Sequence, residues 1–145
     1  MATLARGVHA QGELVALAQQ PDVLVHRFDI LFSGTAGRLV QDVGADIAKV
    51  SPETSVVPHE LPIADAWDFE LVYAALFDFA RNYPFDPDRE DYWIHITTGS
   101  HVAQICLFLL TEARFFPGRL VQTSPPRRQG SSDPGTFALI DLDLS

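Results

Sequence analysis

The sequence predicts an α/β fold, a Rossmann-like, mostly parallel sheet flanked by helices, with an antiparallel strand at its C-terminal edge. Segments rich in β-branched and aromatic residues alternate with segments whose apolar residues recur at helical spacing, an order typical of parallel sheets. Residues 91–126 contain the clearest unit: a strand, a glycine turn, an apolar helix, a second strand and a proline stop. The polar loop at 125–135 has no helical pattern, so the two strands beside it should pair antiparallel.

The first half of the chain supplies two strands and a helix. Residues 22–32 predict a strand, Gly34 marks a turn, and residues 36–50 predict a helix with one apolar stripe. Residues 55–61 predict a second strand that contains Pro58. Since proline removes a donor from the hydrogen-bond ladder, this strand should lie at an edge of the sheet.

The second half continues the alternation. Asp65 is expected to cap a helix over residues 66–83. Strands are then predicted at 91–98, 118–124 and 136–142, with the apolar helix following Gly99. Before all of these, residues 13–20 predict only a short helix that ends at Pro21.

Composition limits the class of protein. The chain has 145 residues, 47% of them hydrophobic, which suits one domain with a real core. A net charge of -9 with ten Lys and Arg residues argues against a surface that grips long DNA or RNA. Cys106 is the one cysteine and is expected to pack in the core. With no leader and no long apolar run, we expect a cytoplasmic protein without a membrane partner.

Polar residues follow two neighbouring strands at the point where each strand ends. Residues 97–101 and 122–124, here called the rim, should meet at the carboxyl edge of the sheet, where open α/β sheets bind ligands. Hydroxyls together with the first amides of a helix can hold a phosphate without lysine. An equally weighted alternative is that Thr98 or Ser100 only caps the helix while Gly99 allows a tight turn.

Further polar residues could extend this site. His101 could donate to a phosphate or, as a minority catalytic candidate, act as a general acid, and Gln104 could contact a base or satisfy nearby backbone. Arg127 and Arg128 could close over an anion or remain solvated. The predicted ligand-binding residues are Thr97, Thr98, Gly99, Ser100, His101, Gln104, Gln122, Thr123, Ser124, Arg127 and Arg128.

Other chemistries lack their motifs. No lysine follows Gly99 as in a Walker loop, and there is no GxGxxG pattern or nucleophile elbow. His95 lies within a strand, where a hydrogen-bonded core histidine is favoured over a ligand. Asp141 and Asp143 share a strand face without a histidine, which favours a solvated edge. We therefore expect no metal and no cofactor.

Four stretches carry a family resemblance: KVSPETSVV, AWDFELVYAALFDFAR, HITTGSHVAQICLFLLTEARFFPGRLVQTSPP and IDLDLS. From about residue 21 to 145 the sequence resembles the N-terminal regulatory domain of RtcR-type sigma-54-dependent activators of RNA repair genes. The resemblance implies a CRISPR-associated Rossmann fold (CARF) domain that senses RNA ends, such as 2′,3′-cyclic phosphate termini or damaged tRNA fragments. Related CARF domains bind cyclic oligoadenylates, often as dimers, so a homodimer or higher oligomer is expected. The TTGSH turn and residues 122–126 match the family's two ligand-lining segments.

The chain departs from the family at both ends. Residues 1–20 match poorly, as if the first strand were truncated, so we divide the chain into this segment and a CARF-like domain at 21–145. The family continues into an AAA+ ATPase and a DNA-binding domain, whereas this sequence stops at Ser145 and should not bind DNA directly. The leading hypothesis is a non-enzymatic sensor that controls the ATPase. The alternatives are a CARF-type nuclease that cleaves a cyclic oligonucleotide and a dimerisation or interaction module without ligand.

Overall fold

A six-stranded sheet forms the centre of the domain, in the strand order β3-β2-β1-β4-β5-β6. The computed structural model describes residues 2–4, 24–124 and 135–140. The described elements are β1 (Ala2–Leu4), β2 (Arg27–Phe32), a 3-10 turn (Gly34–Ala36), α1 (Gly37–Val50), β3 (Ser55–Glu60), α2 (Phe69–Asn82), β4 (Tyr92–His95), α3 (His101–Glu112), β5 (Gly118–Ser124) and β6 (Thr136–Ile140). β1 to β5 are parallel and β6 is antiparallel to β5, which confirms the predicted fold class.

The opening strand, which the sequence left in doubt, lies in the middle of the sheet. Ala2 is in register with Asp29 of β2 on one side and with Ile94 of β4 on the other. The sheet is therefore continuous from β3 to β6. The helix predicted at 13–20 lies outside the described residues.

Helices cover both faces of the sheet. On one face α2 and α3 pack through a cluster that includes Leu76, Leu107 and Leu120, all buried. On the other face α1 packs through a cluster that includes Ile47 and Phe28. Because neighbours bury both of its faces, β2 has four consecutive buried residues and no clear alternation.

Several predicted boundaries shift. β2 begins at Arg27, since residues 24–26 are described and lie before the strand, while residues 22–23 of the predicted strand lie outside the described part. β4 ends at His95 and not at 98, because the chain leaves the sheet there. Asp68, and not Asp65, caps α2, since the Asp68 carboxylate accepts the N–H of Leu71 at 3.1 Å. Asp65 instead accepts an N–H within the turn before the helix.

The edge strands agree with the sequence. β3 with its Pro58 forms one edge of the sheet, as predicted, and β6 forms the other. β5 has the predicted bounds of 118–124, while residues 141–142 of the predicted last strand lie outside the described part. None of the described helices is long and apolar enough to cross a bilayer.

Candidate functional site

The two segments of the rim meet directly. The N–H of Ile96 donates to the carbonyl of Val121 at 3.1 Å, which is a backbone bond just beyond β4. One step further the hydroxyl of Thr97 accepts the N–H of Thr123 at 2.9 Å. A side chain thus replaces the backbone as partner at the point where β4 ends.

His95 lies beneath this junction and is fully buried. Its Nε2 is 2.7 Å from the Thr123 hydroxyl, and its Nδ1 is 3.5 Å from the Thr98 hydroxyl. Burial lowers the pKa of His95 to about 4, so the ring is neutral near pH 7. The interpretation of His95 as a hydrogen-bonded core histidine is confirmed.

The hydroxyls of the turn point into the protein. Thr98 and Ser100 are only 2% and 5% exposed. The Ser100 hydroxyl accepts the N–H of Ala103 at 3.1 Å, which caps α3, and donates to the carbonyl of Ala66 at 3.2 Å. Gly99 between them has φ +94°, a conformation that favours glycine. The capping alternative thus accounts for the position of Ser100.

The amide of Gln104 also has a backbone partner. Its Nε2 donates to the carbonyl of Gly99 at 3.1 Å, so the side chain holds the turn from the next turn of the helix. This is the backbone-satisfying alternative considered for Gln104.

The exposed part of the rim consists of other groups. His101 is exposed at the first position of α3, where helix geometry leaves the N–H groups of His101 and Val102 without acceptors inside the helix. Gln122 and Ser124 are exposed and alternate with Thr123, which places them on the same face of the sheet as Leu120 and α3. Arg127 and Arg128 lie outside the described residues.

A polar cavity that the sequence did not predict lies at the opposite end of the sheet. Its volume is about 670 Å³, and its lining includes the starts of β2 and β4. Asp29 is 1% exposed, and its carboxylate accepts hydrogen bonds from Arg27 Nη2 at 3.0 Å and from the Tyr83 hydroxyl at 2.9 Å. His59 Nε2 lies 2.6 Å from the same carboxylate. Burial alone would raise the pKa of Asp29, but these three hydrogen bonds hold it below its ordinary value.

The signal for this cluster was a charge inside a strand. Asp29 lies in RFDILF, and a carboxylate on a strand buried on both faces requires partners. Its partners His59 and Tyr83 are 30 and 54 positions away in the sequence, so only the fold identifies them. Within residues 2–4, 24–124 and 135–140, no three His, Cys, Asp or Glu residues converge as a metal site would require.

Comparison with known protein families shows the family to which the chain belongs. Residues 11–145 match the family model of RtcR, described as regulator of RNA terminal phosphate cyclase. The chain belongs to the RtcR family. The transcriptional regulatory protein RtcR of Escherichia coli (strain K12) is 52% identical over 132 residues, which are 90% of this chain and 25% of that protein. This RtcR domain therefore spans about a quarter of the length of that curated relative.

Solved structures with low sequence identity share the fold of the RtcR domain. Enterococcus italicus Csm6 bound to cyclic hexa-2′-fluoro-hexa-dAMP superposes with a TM-score of 0.69 at 15% identity, over 97% of this chain and 41% of that one. Protein VC1899 from Vibrio cholerae superposes with a TM-score of 0.68 at 10% identity, over 90% of this chain and 34% of that one. Can2 from Sulfobacillus thermosulfidooxidans in complex with cyclic tetra-adenylate superposes with a TM-score of 0.58 at 10% identity, over 86% of this chain and 32% of that one. The RtcR domain thus shares the fold of these proteins, which confirms the predicted Rossmann-like architecture.

Proposed function

We propose that this RtcR domain is a cytoplasmic, ligand-sensing module that binds RNA ends at its rim and thereby controls an AAA+ ATPase in longer members of the family. The ligand is an RNA terminus with a 2′,3′-cyclic phosphate, as in damaged tRNA fragments. The observation that carries the proposal is the start of α3, where a positive-φ glycine precedes an exposed histidine and open helix amides, in a chain of the RtcR family.

The chemistry of the rim suits a small phosphate. The first amides of α3 and its dipole attract an anion, and His101 adds a side-chain donor. Gln122 and Ser124 offer exposed polar groups on the same face of the sheet for ribose or base. The net charge of -9 disfavours long nucleic acid, which restricts the contact to a terminus. The nucleotide ligands of the Can2 and Csm6 structures support a nucleotide on this fold.

Self-association belongs to the same proposal. α3 is apolar on most of its surface, and Ile105 and Leu109, one turn apart, are 50% and 42% exposed. An exposed apolar face on such a helix favours burial against a second copy. Sedimentation of wild type and Ile105→Glu tests this: the substitution should lower the assembly state, and an unchanged state would argue against this surface.

Binding of matched RNAs tests the ligand. Short RNAs of one sequence, ending in 2′,3′-cyclic phosphate or in 3′-hydroxyl, are titrated against the domain by fluorescence anisotropy. We expect a clear preference for the cyclic phosphate, whereas equal or absent binding would contradict the proposal. His101→Ala should weaken binding roughly 10-fold or more, the effect of one charge-assisted hydrogen bond. His26→Ala is the matched control, because His26 is exposed just before β2 at the opposite end of the sheet.

A second candidate function is cleavage of a cyclic oligonucleotide. The exposed position of His101 beside the helix amides favours it. In such a step a ribose 2′-oxygen would attack the neighbouring phosphorus and lose its proton to water, the bond from phosphorus to the 5′-oxygen would break, and His101 would donate a proton to that leaving oxygen. The products are a 2′,3′-cyclic phosphate end and a 5′-hydroxyl end. Incubation with cyclic tetra-adenylate followed by chromatography decides between the two functions. Linear products that disappear in His101→Ala would support cleavage, and binding without turnover would exclude it for this ligand.

A further inference from the structure

We propose that His95 is a positioning residue for the rim and that its hydrogen bond to Thr123 sets the affinity for the ligand. The inference rests on the proposed function, because it concerns the same site. His95 itself is fully buried and touches no ligand. It acts through the two segments that it holds together.

Thr123 is the point at which both bonds converge. Its backbone N–H is held by the hydroxyl of Thr97, and its own hydroxyl is held by Nε2 of His95. The first bond lies along the direction of the β-ladder, and the second lies on the side-chain face of the sheet. Together they fix the end of β5 in two directions.

The imidazole connects β5 to the turn as well. With its pKa lowered, the neutral ring has one N–H donor and one acceptor nitrogen. Nε2 is directed at Thr123 and Nδ1 at Thr98, so one ring spans both segments of the rim. All three side chains are at most 2% exposed, and in such a site a lost hydrogen bond is not replaced by water.

The consequence concerns the exposed neighbours of Thr123. Gln122 and Ser124 point away from His95 toward the side of α3, and their placement relative to the helix amides depends on where Thr123 is held. A ligand that touches both segments then meets a preorganised pair and loses less entropy on binding. Without the His95 bond, the Thr97 hydroxyl still holds the Thr123 N–H, but the ligand must order the remaining motion of the end of β5 and the turn.

A pair of matched substitutions separates positioning from stability. Thr123→Val removes the hydroxyl from His95 but leaves the backbone N–H for Thr97. Thr111→Val removes an equally buried hydroxyl, 5% exposed and bonded to Leu107 at 2.7 Å, far along α3 from the rim. Both should lower the melting temperature similarly, but only Thr123→Val should weaken binding of the cyclic-phosphate RNA, by about 5- to 10-fold. His95→Leu should behave like Thr123→Val, and His95→Gln, which keeps an amide toward Thr123, should restore part of the affinity.

Hydrogen exchange tests the inference without any ligand. In Thr123→Val the amides of residues 97–100 should exchange about 5- to 10-fold faster than in Thr111→Val. If wild type shows no RNA preference while this loop still loosens, the proposed function fails and the positioning role stands. If wild type binds but Thr123→Val binds and exchanges like Thr111→Val, the positioning role is wrong and the proposed function survives.

Discussion

Acidification from pH 7 to 4.5 should destabilise the domain, and the His95 imidazole should contribute a defined part of the loss. The ring is fully buried, and its pKa is lowered to about 4 in the folded state. In the unfolded chain the pKa is near the ordinary value of about 6.5. The unfolded state therefore binds the proton first, and stability falls as the pH drops below about 6.5 toward 4.

The magnitude follows from the difference between the two pKa values. Each pKa unit corresponds to about 1.4 kcal/mol, so the full effect at low pH is about 3 kcal/mol. At pH 4.5 most of it is present, about 2.5 kcal/mol. This is a large share of the roughly 5–15 kcal/mol by which domains are stable.

Urea unfolding at the two pH values measures the effect, with the fluorescence of Trp93 as a reporter. The centroid of its ring lies 5.6 Å from that of Phe137, and both rings pack against the cluster beneath α1. His95→Gln should lose about 2.5 kcal/mol less than wild type between pH 7 and 4.5. Thr111→Val provides the control: it removes a buried hydroxyl that does not titrate, and it should keep the wild-type pH dependence. If His95→Gln loses as much stability as wild type, the buried imidazole is not the proton-sensitive group.

Three further substitutions test the packing of the sheet. Gly118→Ala should destabilise by about 1–3 kcal/mol in thermal unfolding, because its Cβ would lie 2.6 Å from the carbonyl oxygen of Tyr92. Gly44 lies inside α1, and Gly44→Ala should instead stabilise by about 0.5–1 kcal/mol in the same assay, because alanine favours the helix. Its Cβ would make only an ordinary contact of 3.7 Å with the side chain of Val56. Asp29→Asn should cost about 1–3 kcal/mol in urea unfolding at pH 7. The pKa of Asp29 in the folded state is lower than its ordinary value of 3.8. The stability that the Asp29 carboxylate contributes is therefore present above pH 3.8 and is lost as the pH falls through the lower, folded-state pKa, where wild type and variant should converge.

Local chemistry made much of the fold predictable. β5 is delimited by Gly118 and by the prolines after Ser124, and Pro58 is incompatible with a central strand. The start of α2 was not predictable in the same way. Asp65 and Asp68 are both competent N-caps three positions apart, and the path of the backbone after β3 decides which one meets the free N–H groups.

The rim was predictable as a location but not in its orientation. Parallel strands bring their carboxyl ends to one edge, so the meeting of Thr97 and Thr123 follows from topology. Strand alternation is lost in the turn, however, and nothing local says whether Thr98 and Ser100 face inward or outward. The inward orientation depends on His95 and on the carbonyl of Ala66, which lie on other parts of the fold.

This inward orientation changes how the rim can recognise an anion. Had the hydroxyls of Thr98 and Ser100 faced outward, each could have contributed a donor directly and the site would have tolerated the loss of one. Since both are used inside the protein, the proposed recognition of an anion depends, among the described residues, on the amides at the start of α3 and on His101. The strength of these contacts depends on where the groups are held. Under the proposed function, the buried hydrogen bonds that fix Thr123 and the turn should therefore influence the affinity for the ligand as much as the exposed groups do.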